Sequence, residues 1–89
     1  MFNNRRSEIE IMGEILNLSM QGARKTEVLY QVNLSYKQLN EYLGFLLKKD
    51  FIFEKTIEDP KINSYKLYET TDKGYEFLQN INRTLSYLR

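Results

Sequence analysis

A small, mostly α, α+β fold is predicted for this chain: three helices, a β-hairpin and a closing helix, in the order α-α-α-β-β-α. Three observations carry the prediction. Apolar residues recur at helical spacing in four stretches. The apolar period changes to two after Asp50. The second helix gives way to the third across Asn33, Leu34 and Ser35, and the third runs into a strand with no linker.

The first helix is expected from about Ser7 to Met20. Ser7 suits its N-cap, and Glu8 and Glu10 lie in the first turn, where the helix dipole favours acids. Ile9, Met12, Leu16 and Met20 share one face; Ile11, Ile15 and Leu18 share an adjacent one. That arc is wider than a surface helix needs, so one part can face the core and the other a partner. Gly22 in "QGARK" suits the position after the C-cap.

The second helix opens at Thr26 or just before it and covers "EVLYQV", with Val28, Leu29 and Val32 as its apolar side. Asn33, which tolerates the left-handed conformation, stops it, and Leu34 plugs the turn. Ser35 caps a third helix from Tyr36 to about Lys49, with Gln38 as its capping-box partner. Leu39, Leu43, Leu46 and Leu47, flanked by Tyr36 and Tyr42, form its core stripe. Lys37, Asn40, Glu41, Gly44 and Lys48 lie opposite.

In "FIFEKTI", Phe51, Phe53, Lys55 and Ile57 alternate with Ile52, Glu54 and Thr56. "EDPKIN" is a polar break, and "SYKLYE" alternates again, so the two read as a hairpin. Thr71 caps the last helix, with Asp72 in its first turn, and this helix runs to about Leu88. Three helices followed by a hairpin make a winged helix-turn-helix. In that arrangement the third helix enters the major groove and the loop at about Glu58–Ser64 lies over the backbone or minor groove.

Two stretches resemble the archaeal winged helix-turn-helix regulators and small chromatin proteins that dimerise through a C-terminal helix. "KTEVLYQVNLSYKQLNEYLGFL" matches that family's Lys-Thr…Tyr…Asn-Leu-Ser-Tyr…Tyr-Leu pattern. "YKLYETTDKGYEFL" matches its post-wing pattern, with Tyr68, Thr71, Lys73, Gly74, Phe77 and Leu78 in register. The resemblance covers nearly the whole chain. It implies double-stranded DNA binding, a homodimer and a transcriptional or chromatin role. The chain departs from the family in a wing that lacks glycine and in a shorter last helix.

Candidate contacts follow from residue chemistry. Ser35, Tyr36, Lys37, Gln38, Asn40 and Glu41 can reach bases or phosphates, with Lys48 further along the same helix. Asn and Gln suit adenine edges, Glu suits cytosine, and Lys suits guanine or phosphate. Tyr36 flanks the leucine stripe and reads equally as core. Arg24, Lys25 and Thr26 at a helix start make a phosphate clamp or a solvated basic pair. Lys61 and Asn63 are the best wing candidates, ahead of Lys55 and Lys66, although Glu58 and Asp59 beside them repel phosphate. Arg5 and Arg6 form a short arm that could follow a phosphate backbone.

The last helix places Leu78, Ile81, Leu85 and Leu88 in a two-heptad seam beside Phe77. The seam serves a dimer or packs on its own domain. The dimer is favoured here, because an 89-residue chain buries only roughly 60–65% of its unfolded surface. Ile11, Ile15 and Leu18 would complete that interface. The expected division is a DNA-binding domain over residues 1–71 and a dimerisation helix over 72–89, packed on the same domain.

Composition narrows the function classes. No Cys and no His remove zinc-finger chemistry and histidine-based catalysis. Asp72 and Glu76 share a helix face, but they read as a solvated pair. No enzyme activity, cofactor, metal or small-molecule substrate is expected. Twelve aromatic rings (seven Tyr, five Phe) could stack on single strands. Phe51, Phe53, Tyr75 and Phe77 sit at core-period positions, however, so packing is the better reading. No membrane span or signal peptide is expected, and the chain reads as cytoplasmic, nucleoid-associated if it binds DNA. The net charge of +1 leaves a protein-docking winged helix as the alternative.

Overall fold

A computed structural model describes residues 6–89. The helices are α1 (Glu8–Leu18), α2 (Lys25–Val32), α3 (Tyr36–Lys48) and α4 (Asp72–Leu88); the strands are β1 (Ile52–Ile57) and β2 (Tyr65–Thr70). The expected order holds. Met20 falls outside α1, in a 3-10 turn over Ser19–Gln21, and Gly22 follows at φ 87°. Arg5 of the expected arm lies outside the described residues. Arg6 pairs with Glu14 of α1. Among the described residues no helix is long and apolar enough to cross a membrane.

Local chemistry explains the helix starts. Ser7 and Glu10 form a capping box, as do Ser35 and Gln38. Glu27 accepts the Arg24 backbone N–H at 3.0 Å. Asn33 stops α2 at φ 58°, in the left-handed region that Asn tolerates.

The core gathers Ile11, Ile15 and Leu16 of α1, Val28 and Val32 of α2, and Leu39, Leu43 and Leu46 of α3. Ile52, Tyr68, Leu78 and Ile81 close it. Three sequence expectations are corrected here. Leu47 is exposed, because it lies about 80° around α3 from Leu39, on the shoulder of the stripe. Ile9 and Met20, assigned to one face with Leu16, are exposed. Phe53 and Tyr75, read as packing residues, are also exposed. Alternation names two hairpin faces without saying which is covered, and the covered one carries Ile52 and Tyr68.

The hairpin pairs Ile52 with Thr70 and Ile57 with Tyr65. Ala23 adds a bridge on the other edge of β2, exchanging backbone hydrogen bonds with Tyr68 at 2.9 and 2.8 Å. The α2 start is thereby tied to the wing.

The α3–β1 and β2–α4 junctions meet. Phe51 O accepts the Thr71 N–H at 3.0 Å. Thr71 Oγ1 accepts the Gly74 N–H at 2.9 Å and donates to Asp50 O at 2.7 Å. Thr71→Ala removes both bonds and is expected to cost about 1–2 kcal/mol. Thr71→Ser should recover most of that loss in chemical denaturation.

The expected seam residues are used largely inside the chain. α1 and α4 run in opposite directions, with Leu78 and Ile81 against Gly13. Leu78, Ile81, Ile11 and Ile15 are buried in their own domain, and the Phe77 ring stacks on Phe51 at 4.5 Å. These five residues pack against their own domain. Leu18 and Leu85 are partly buried, and Leu88 is 66% exposed.

Candidate nucleic-acid interface

α3 presents its outward face as the leucine stripe dictates. At 3.6 residues per turn, Lys37 and Lys48 differ by only about 20° in direction and about 16 Å along the axis. Asn40 and Glu41 fall between them. All four side chains are exposed. Neither lysine is in an ion pair among the described residues.

Ser35 and Gln38 have a different environment. The Gln38 side-chain oxygen accepts the Ser35 N–H at 3.0 Å, and Ser35 Oγ accepts the Gln38 N–H at 3.1 Å. An amide oxygen committed to the cap is not free for a two-bond contact with adenine. Gln38 also turns toward α1, where it lines a groove with Glu8, Met12, Glu41, Tyr42 and Phe45. Burial, then the nearby Glu8 carboxylate, pushes the Tyr42 phenol up.

On the opposite flank, α3 meets the start of α2. Tyr36, ambiguous in sequence, is 61% exposed, and Lys25 Nζ lies 5.3 Å from its ring centre. The Arg24 guanidinium stacks on Tyr65 at the base of the wing, 3.9 Å from the ring centre. Thr26 is exposed in the first turn of α2. Arg24, Lys25 and Tyr36 thus connect the wing base to the α3 N-terminus.

The wing lysines divide by cross-strand register, which alternation alone does not fix. Lys55 pairs with Glu69 at 3.3 Å and Lys66 with Glu54 at 3.2 Å. The Lys66 ammonium, then the Tyr68 hydroxyl, holds the Glu54 carboxyl below the usual carboxylate range. Lys61 and Asn63 remain exposed at the tip. Asp59 shapes that tip by accepting the Lys61 N–H at 2.9 Å, and Asn63 adopts φ 67°. Sequence reasoning missed Tyr65 and Glu54; a Tyr and a Glu in alternating strands carried no signal of what they would meet.

A family model described as winged helix-turn-helix matches residues 5–88. The chain belongs to the winged helix-turn-helix family. Within reach of this winged helix is MJ0287 of Methanocaldococcus jannaschii, an uncharacterized protein 34% identical over 74 residues, covering 73% of this chain and 76% of its own. Among solved winged-helix structures, Sso10a-2, a DNA-binding protein from Sulfolobus solfataricus, aligns with TM-score 0.74 and 25% identity. That alignment covers 92% of this chain and 81% of Sso10a-2. The transcriptional regulator PcaV from Streptomyces coelicolor aligns at TM-score 0.69 and 15% identity, over 98% of this chain and 60% of PcaV. ZitR from Lactococcus lactis aligns at 0.65 and 16%, over 99% of this chain and 64% of ZitR. The last two likenesses concern the fold alone.

Proposed function

We propose that this winged helix binds double-stranded DNA as a homodimer and acts as a transcriptional regulator. In this reading α3 enters the major groove and the wing tip, with Lys61 and Asn63, follows the backbone or minor groove. One observation carries the proposal: the outward face of α3 holds Lys37, Asn40, Glu41 and Lys48 together, exposed, with Arg24 and Lys25 at its flank. The likeness to Sso10a-2, itself a DNA-binding protein, supports the same reading.

The dimer would use what the domain leaves uncovered. α4 has 17 residues against 11 in α1, so α1 does not cover α4 along its whole length. Leu88 and the 81% exposed Tyr87 lie at the C-terminal end of α4, with the partly buried Leu85 one turn before Leu88, while the partly buried Leu18 lies at the C-terminal end of α1. A two-fold pairing there would present two copies of α3 to a roughly palindromic target.

A gel-shift salt series tests the proposal. Affinity is expected to fall by about 0.9 log units per log unit of salt for each phosphate contacted. A slope near zero would reject DNA binding and favour the protein-docking alternative. Asn40→Ala should weaken the preferred sequence by about 1–3 kcal/mol and leave random DNA unchanged.

A further inference from the structure

Three of the four glycines answer to contacts or geometry inside the chain. Gly22 has a positive φ, a Cβ on Gly74 would overlap the Phe51 carbonyl, and at Gly13 the Ile81 methyl would stand 3.2 Å from an added Cβ. Gly44 has no such reason. It lies mid-way along α3, its φ is not among the positive ones, and beyond its chain neighbours and the adjoining helix backbone no described atom comes within 4 Å of the Cβ position. Only proline is less favourable than glycine in a helix interior, so the domain alone would be more stable with alanine there.

The direction of Gly44 points to what occupies the space. Taking Leu39 as the direction of the core, Gly44 points about 140° away, between Asn40 at about 100° and Lys48 at about 180°. Lys37 lies about two turns before it and Lys48 one turn after. The two ammonium groups, in no ion pair among the described residues, therefore bracket a helix face on which Gly44, between Asn40 and Glu41 on one side and Lys48 on the other, is the position without a side chain. Recognition helices contact base edges mainly through their N-terminal residues, and Gly44 lies beyond that region.

We propose that Gly44 is a close-approach point, where the α3 backbone meets the sugar-phosphate wall of the major groove while Lys37 and Lys48 engage phosphates on either side. The inference rests on the reading of α3 as the DNA-contacting helix. A methyl group at this position would hold the helix off the wall and lengthen both lysine contacts.

Gly44→Ala moves stability and binding in opposite directions, which separates this role from a folding defect. The melting temperature is expected to rise by about 5 °C. Affinity in gel-shift titrations is expected to fall about tenfold, equally on random-sequence and preferred duplexes. Unchanged or tighter binding by the variant, with the wild type binding normally, overturns the inference and leaves the proposed function standing. Loss confined to the preferred duplex also overturns it, since a base edge rather than the groove wall would then be touched. A wild-type protein with no salt-dependent binding overturns both.

Discussion

Gly74→Ala is expected to destabilise the domain by about 3 kcal/mol, near the upper end for overpacking. The added Cβ would overlap the Phe51 carbonyl and stand 2.9 Å from Thr70 Cγ2. A flexible side chain could move aside, but the Phe51 carbonyl cannot, because it accepts the Thr71 N–H at 3.0 Å. Relief requires the first turn of α4 to lift, which loosens the Thr71 cap and the Phe51–Phe77 stack together. For a chain of this length the melting temperature should fall by roughly 15 °C. A fall of under about 4 °C in a thermal melt would mean that the junction yields more easily than its hydrogen bonds imply.

Removing both outward lysines, Lys37→Ala with Lys48→Ala, is expected to weaken DNA binding about 100-fold at moderate salt. Each neutralised phosphate contributes about 0.9 to the salt slope, so the double variant should bind with a slope shallower by up to about 1.8. The loss should be similar for every duplex, because phosphate contacts position the protein without reading sequence. Both side chains are exposed, so the melting temperature should stay within a few degrees of wild type. An unchanged salt slope would remove both lysines from the interface.

What the sequence made legible follows from the range of each interaction. The caps at Ser7, Ser35 and Thr71 and the left-handed stop at Asn33 are decided within four residues, and the structure has all of them. The hairpin and its loop were legible for the same reason. Which face of an element is covered depends on distant residues, and there the reading failed for Leu47, Phe53 and Tyr75. The leucine spacing in α4 fits a dimer seam and an intradomain contact equally well. Gly13, which lets α1 approach, made Leu78 and Ile81 intradomain. In the candidate interface, Lys37, Asn40, Glu41 and Lys48 were legible from helical period alone. The Arg24–Tyr65 stack and the Lys66–Glu54 pair were not, since both depend on how the hairpin docks.

The ties that close the fold are distant along the chain. Thr70 Oγ1 donates to Leu16 O across 54 residues, and Thr71 Oγ1 to Asp50 O across 21. Contacts of this span form only after the intervening chain has lost much of its freedom, so folding is slower than in a helical bundle of equal size. The same ties predict that the domain unfolds as one unit. Neither half of the chain retains the surfaces that orient α3, and a fragment ending before α4 would lose its alignment along with the missing helix.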